Sequence, residues 1–291
     1  MADRLIVAEA GTLFEVLARH FADGSKHAWS KKTLRQRLRF GCIDVNGHTT
    51  TRHSDPVKPG DVVEIHATSA GRVTKRAAVD LPVLFDDEHL LAIDKPLGLL
   101  SVGSDEERQR TALVLAREAA SRPGRTVALW PIHRLDRETS GVLLFARSRA
   151  VRDQLQKDWS NTVKVYVAIV EGLPDPAAGT IEQPLWEDQN LRVRVGARPG
   201  AKQARTRYQT THRGPCRSQL EVHLDTGRKH QIRAHLAWLG HPIVGDDRYG
   251  TSDVRLCLHA QRLVVRHPTH GQDLCIEAPL PPVLPRALTQ R

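Results

Sequence analysis

Cysteine is scarce and scattered. Cys42, Cys216, Cys257 and Cys275 are the only four in 291 residues, and no two form a C-x-x-C pair. A disulfide framework and a cysteine-built zinc site are excluded on that ground, and the usage suits a reducing compartment. Long apolar runs are also missing, with nothing near the roughly 18 residues a spanning helix needs. The opening Met1-Ala2-Asp3-Arg4-Leu5-Ile6 has no basic segment leading into an apolar one, so no secretory signal is read there. Acids are in deficit: 33 Asp and Glu stand against 43 Lys and Arg, a formal net charge of +10 at pH 7. That surplus points to a polyanionic partner, nucleic acid ahead of an anionic membrane surface. No repeat or low-complexity block interrupts the chain. With 40% hydrophobic residues to fill a core, the expectation is a soluble cytosolic protein of about two domains.

The pattern along the chain divides it into a small module over residues 1–68, a linker over 69–80 and a larger domain over 81–291. The linker assignment rests on a polar, basic stretch (Arg72, Lys75, Arg76) without periodicity. Within the small module, Ser30 is placed to cap a helix that Gly41 would stop, with Trp29 and Leu34 spaced as a hydrophobic staple. Leu34 and Leu38 mark its buried stripe. Lys31, Lys32, Arg35 and Arg39 fall within an arc of about 100°, a cationic face. A solvated helix surface is the plainer reading of such a run. A strand entering an Asn46-Gly47 turn is expected over 43–48, and another over 62–65 after a Pro59-Gly60 turn.

In the larger domain, strand-like alternation predicts 89–94, 141–146, 163–170, 191–195, 204–211, 219–224 and 274–277. The helical stretches between them are too irregular for repeating βαβ units. The expected class is α+β, with a mixed, largely antiparallel sheet.

Three stretches look chemical. The first runs from His133 through Arg134, Leu135, Asp136 and Arg137 to Gly141, directly ahead of the apolar strand Val142-Leu143-Leu144-Phe145. Arg134 and Arg137 would hold Asp136 ionised, making it a candidate nucleophile or base; a surface salt-bridge loop is the alternative. Ser140 lacks a G-x-S-x-G setting, which argues against a serine hydrolase. The second stretch has a strand through Leu220, Val222 and Leu224, a Thr226-Gly227 turn, and a helix to Gly240 whose buried stripe is Ile232, Leu236 and Leu239. Arg233 sits at the edge of that stripe and needs an anion there; Asp136 is the partner chosen for it. His230 and His235 are not at i, i+4 spacing and no carboxylate motif accompanies them, so no metal site is expected. The third stretch places Tyr166 on a strand face opposite Val165 and Val167, where it is either a packed tyrosine or a site residue.

Taken together, these stretches resemble the pseudouridine synthases of the branch that modifies large-subunit ribosomal RNA and some transfer RNA. The H-R-L-D-x-x-T-S-G run is complete from His133 to Gly141. In the same order follow or precede it Lys95-Pro96 with Gly98-Leu99, Lys164-x-Tyr166, Thr226-Gly227-Arg228 with His230-Gln231-Ile232-Arg233, Gly245-Asp246 with Tyr249-Gly250, and Leu258-His259-Ala260. Leu100-Ser101-Val102-Gly103 departs from the His-Pro common after the first motif, and Lys229 from a common threonine. In the small module, Val45-Asn46-Gly47 and Lys58-Pro59-Gly60-Asp61 resemble a small α/β RNA-binding module of a small-subunit ribosomal protein.

The resemblance implies an isomerase that detaches uracil from ribose and rejoins it through carbon 5, with no cofactor. It makes Asp136, Tyr166 and Arg233 catalytic, has Arg134 enter the stack vacated by a flipped uridine, and gives Lys31, Lys32, Arg35 and Arg39 the RNA backbone. The partner is RNA, large-subunit ribosomal RNA ahead of transfer RNA; no membrane or protein partner is expected, and a monomer is the default. A non-catalytic RNA-binding or ribosome-assembly factor with the same fold is the competing reading.

Overall fold

The structure, a computed structural model, describes residues 3–22, 33–34, 37–38, 42–50, 54–66, 81–103, 110–121, 127–251 and 255–289. The chain divides into two compact units, Met1–Val79 and Asp80–Arg291. The expected cationic face (Lys31, Lys32, Arg35, Arg39), the staple residue Trp29, the cap Ser30 and the 69–80 linker lie outside the described residues.

The first unit is built from β1 (Asp3–Ile6), β2 (Gly11–Thr12), α1 (Leu13–Ala22), β3 (Ile43–Val45), β4 (His48–Thr50), β5 (Pro56–Val57) and β6 (Val62–Ile65). Four strands form an antiparallel sheet in the order β1-β6-β3-β4, and β2 pairs with β5. Thr12 and Glu15 cap α1 reciprocally, each backbone N–H donating to the other's side chain (3.0 and 3.4 Å). Helix α1 then buries Leu13, Leu17 and Phe21 against Leu34, Leu38, Ile43, Val63 and Ile65, so the expected Leu34/Leu38 stripe does face the core. Ahead of that helix, β1 is fixed by its ladder to β6 although Ile6 is 64% exposed.

Asn46 and Gly47 both have positive φ (50° and 79°), as a two-residue hairpin turn demands. The Asn46 side chain accepts from Val62 N (2.9 Å) and donates to Asp61 (3.0 Å), which itself accepts from Lys58 N (2.9 Å). The V-N-G and K-P-G-D segments are thus a single hydrogen-bonded corner.

The second unit contains β7 (Val83–Asp86), β8 (Leu90–Lys95), α2 (Ala112–Ala120), β9 (Trp130–Pro131), β10 (Ser140–Ala146), α3 (Arg149–Lys157), β11 (Val163–Glu171), β12 (Ala178–Glu182), β13 (Leu185–Glu187), β14 (Val193–Val195), β15 (Arg205–Arg213), β16 (Arg217–Leu224), α4 (Gln231–Trp238), β17 (Leu258–Arg266), β18 (Asp273–Glu277) and α5 (Val283–Thr289). Ten strands make one sheet, ordered β12-β15-β16-β11-β17-β10-β8-β7, with β18 on β17 and β9 on β10. All its pairings are antiparallel except β10 with β17, so the class is the α+β, mixed and largely antiparallel one expected. Strands β13 and β14 form a separate hairpin.

All seven residues of β10 are buried, which explains its uninterrupted apolar run. Val142 and Leu144 pack with Leu155 of α3 and Leu263 of β17, while Ile232 and Leu236 of α4 pack with β11 and β16. Strand β17, nine residues long and absent from the expected set, lies between β11 and β10. Gly141 explains how it comes so close: with φ at 113°, an added Cβ would stand 2.2 Å from the Ala260 carbonyl oxygen.

Candidate active site

The loop from His133 to Ser140 is held from beneath. Lys95, fully buried at the end of β8, donates to the carbonyls of Pro96 (2.9 Å), Leu99 (2.8 Å) and Arg137 (3.2 Å). Burial pushes its pKa down to about 8, against the pull of Glu138, Asp136 and Asp94. Ser101 Oγ donates to Leu135 O (2.8 Å) and accepts from Leu135 N (2.9 Å), closing both backbone groups beside Asp136. His133 accepts from Leu144 N through Nε2 (3.0 Å) and stacks on Trp159; burial pushes its pKa down to about 3, so it is a neutral strut.

That support leaves the Asp136 side chain half-buried and, among the described residues, without a hydrogen-bonding or ion-pair partner. It faces a cavity of about 170 Å³ whose walls include Tyr166, Leu224, His230, Ile232, Arg233 and Leu258. The volume lies below the roughly 300–1,000 Å³ of pockets for drug-sized ligands, and suits one planar ring. Arg134 is exposed at the mouth, where it lines both this cavity and a 540 Å³ groove along Ser101 to Gly103 and Arg248.

Tyr166 lines the cavity from β11. Beside it the β11–β17 register shifts between Val165 and Tyr166, leaving Gln261 of β17 as the extra residue. Burial and then the Asp136 charge raise the Tyr166 pKa, so the phenol keeps its proton.

Arg233 lies in the same wall, but the expected direct pair with Asp136 is not formed. Its guanidinium is claimed by Asp246, with Nε and Nη2 donating to the two carboxylate oxygens at 2.8 and 2.7 Å, in a pair 5% and 0% exposed. Asp246 sits on the turn after α4, where Gly245 brings the chain against Arg255: a Cβ at Gly245 would stand 1.8 Å from the Arg255 carbonyl oxygen. Two backbone donors, Arg248 N and Tyr249 N, complete its shell at 3.0 Å each. Burial lowers the Arg233 pKa, but the hydrogen bonds and charge of Asp246 outweigh it and Asp136 adds to the effect, so the pKa is raised. Arg233 and Asp136 are therefore two charges on one wall, coupled through space and not by a shared hydrogen bond.

His230, read from the sequence as a core or RNA-facing histidine rather than a metal ligand and given no role, is the residue that sequence reasoning undervalued. It precedes α4 in a left-handed conformation (φ 51°). Its Nδ1 is 3.0 Å from the Tyr249 hydroxyl, whose oxygen already accepts from Val193 N (3.1 Å). The bond to Tyr249 fixes the orientation of the ring. Burial, reinforced by the charges of Arg233, Arg248 and Lys229, lowers the His230 pKa despite Asp136, so the ring is neutral at the cavity wall.

The other candidates are structural. His235 is fully buried between Thr206 Oγ1 (2.9 Å) and Gln183 O (3.0 Å). Ser140 is 4% exposed, bonded to His259 Nδ1 (2.9 Å) and accepting from Arg255 (3.1 Å), so no substrate reaches it. Among the described residues, the side chains grouped closely enough to share a metal ion are Asp44, Glu64 and His66 of the first unit; none lines the cavity.

Comparison with known proteins bears on this arrangement directly. The family model described as RNA pseudouridylate synthase matches residues 89–238, from the residue before β8 to the last of α4. An uncharacterised RNA pseudouridine synthase of Bacillus subtilis is 33% identical over 87% of this chain and 86% of its own. Ribosomal large subunit pseudouridine synthase D of Nitrosomonas europaea is 32% identical over 87% of this chain and 78% of its own. Among solved structures, human RNA pseudouridylate synthase domain containing 4 superposes with a TM-score of 0.59 at 27% identity, covering 71% of this chain and 91% of that one. The Asp136 loop, the strand carrying Tyr166 and the helix carrying Arg233 fall inside the matched span, and the chain belongs to the RNA pseudouridylate synthase family, RNA-modifying isomerases.

Proposed function

We propose that this enzyme isomerises uridine in large-subunit ribosomal RNA and that Asp136 opens the reaction. The observation that carries the second part is the Asp136 carboxylate, left without a hydrogen-bonding or ion-pair partner among the described residues in a ring-sized cavity, while Arg233 and His230 in the same wall are held by Asp246 and Tyr249. In the isomerisation the bond from uracil N1 to the sugar breaks, a bond from carbon 5 forms, and a proton leaves carbon 5 as N1 gains one. Nothing is oxidised and no group is consumed, so the protein has to supply position and charge. Asp136 meets that need either by attack on the anomeric carbon or by removal of a sugar proton.

Arg233, fixed by Asp246, keeps positive charge beside developing negative charge. His230 presents its neutral ring to the uracil. Tyr166, protonated and half-buried, packs on the ring; the surroundings that hold its proton oppose a role as proton acceptor at carbon 5. A stacked uridine has to leave the helix to enter, at a cost of a few kcal/mol, and Arg134 at the mouth is placed to fill the gap with its guanidinium plane.

The first unit is proposed as the RNA-binding module, with Lys31, Lys32, Arg35 and Arg39 on phosphates; its support is the resemblance of the Asn46–Asp61 corner and the uniform sign of that run. The ribosomal substrate draws its support from relatives named for the large subunit, in Nitrosomonas europaea and Xanthomonas campestris. Mapping pseudouridine across ribosomal and transfer RNA in cells with and without the gene tests it. Loss of one or more large-subunit sites is expected; losses confined to transfer RNA would overturn the substrate, and no loss in either would favour a binding factor.

A further inference from the structure

Beside the uridine cavity lies a larger groove, of about 770 Å³, for which the isomerisation itself has no use. One wall is the β13–β14 hairpin, which is pinned by several ties to Lys229 ahead of α4 and to Arg248 and Tyr249 on the turn after it. Val193 N donates to Tyr249, Arg248 and Lys229 donate to the Leu191 carbonyl (3.0 and 3.4 Å), and Lys229 pairs with Glu187 at 2.5 Å. A hairpin so tied is a fixed surface. Along it, Trp186 carries the Arg198 guanidinium over its ring, 4.1 Å from the centroid, with Arg198 itself exposed.

Three observations say what such a groove takes. It adjoins the uridine cavity, since Gly227, Arg228 and Lys229 line both. Its charge is basic: Arg198, Lys202, Arg228 and Lys229 face it, and its two acids are already occupied, Glu187 by Lys229 and Asp188 by Arg194 at 2.8 Å. Its one aromatic is stacked with a guanidinium, and both kinds of plane accept a nucleobase.

We propose that this groove is a subsite for the single-stranded nucleotides adjoining the target uridine, with one base stacked on the Trp186–Arg198 platform and the phosphates against Lys202 and Arg228. The proposal rests on the reading that the 170 Å³ cavity takes the uridine. It adds that the enzyme holds its substrate at two points, so a base beside the target has to be unstacked as well.

The test uses the full-length protein, with uridine monophosphate as a probe that reaches only the cavity and an eight-nucleotide oligouridylate as one that reaches both sites. Trp186→Ala is expected to weaken the oligonucleotide by about 5- to 100-fold, the range of one lost base–aromatic stack. It should leave uridine monophosphate unchanged and raise KM without lowering kcat for tritium release from carbon-5-labelled ribosomal RNA. Trp186→Phe should restore most of the affinity, which a merely structural tryptophan fitted to its neighbours would not allow. The subsite is overturned if Trp186→Ala binds the oligonucleotide as wild type does, if it loses both probes equally, if wild type binds no oligonucleotide, or if adenosine triphosphate binds as tightly as the oligonucleotide. Wild-type enzyme that releases no tritium, yet loses the oligonucleotide in Trp186→Ala, would sink the isomerase reading and leave the subsite standing.

Discussion

Asp246→Asn removes one charge and almost no volume, and it isolates what holds Arg233. The Asn carboxamide oxygen can still accept from Arg248 N and Tyr249 N, so the turn survives. What disappears is the anion facing a guanidinium that is 5% exposed. Breaking a buried pair by removing one partner costs about 3–5 kcal/mol. The lower end applies here, because Asp247 at 3.6 Å is 78% exposed and contributes little, while Asp136 supplies an alternative anion. The freed guanidinium should turn to Asp136 and form the ion pair that the native structure avoids. The reacting carboxylate would then be drawn from its place, and a misplacement of that order costs about 100-fold in turnover. The expected result is a loss of about 3 kcal/mol in urea unfolding of the full chain, with kcat for tritium release down by about two orders of magnitude and RNA affinity in filter binding nearly unchanged. Stability and kcat both at wild-type values would refute the assignment of Arg233 to Asp246.

Other outcomes test the supports. Ser101→Ala strands two buried backbone groups of Leu135 and should cost about 1–3 kcal/mol in urea unfolding, with Ser101→Thr closer to wild type. Lys95 has a native pKa of about 8, below its unfolded value, so the unfolded chain binds more protons between that pH and about 10.4. The stability of wild type relative to Lys95→Met should accordingly rise with pH across that window and stay flat below it; a flat difference throughout would mean the lysine is not buried as described. Replacing Arg35 and Arg39 together by Gln should weaken RNA binding and reduce the slope of log K against log salt by about 0.7–0.9 per lost phosphate contact. An unchanged slope returns that helix to a solvated face.

Local chemistry was legible in the sequence wherever it depended on local spacing. The Asp136 loop before an apolar strand, Tyr166 on the face away from its valines, the Asn46-Gly47 turn and the Leu34/Leu38 stripe all follow from periods of two or 3.6 residues and from turn chemistry. Partner choice did not follow. Arg233 needs an anion, but Asp136 and Asp246 are equally acidic on paper, and only the close approach at Gly245 decides between them. Lys95 stood in the sequence only as part of the Lys95-Pro96 motif, and its three carbonyl acceptors belong to segments that only the fold brings together. Strand β17 escaped because Gln261 and Arg262 break its alternation at the register shift beside Tyr166. The role of His230 escaped because its tie to Tyr249 joins residues 19 apart.

Single-turnover release of tritium by Asp136→Asn, measured beside its RNA affinity, bears most directly on the role given to the unpartnered carboxylate. No release together with wild-type affinity is the expected result. Release at the wild-type rate, or affinity lost in step with activity, would contradict it.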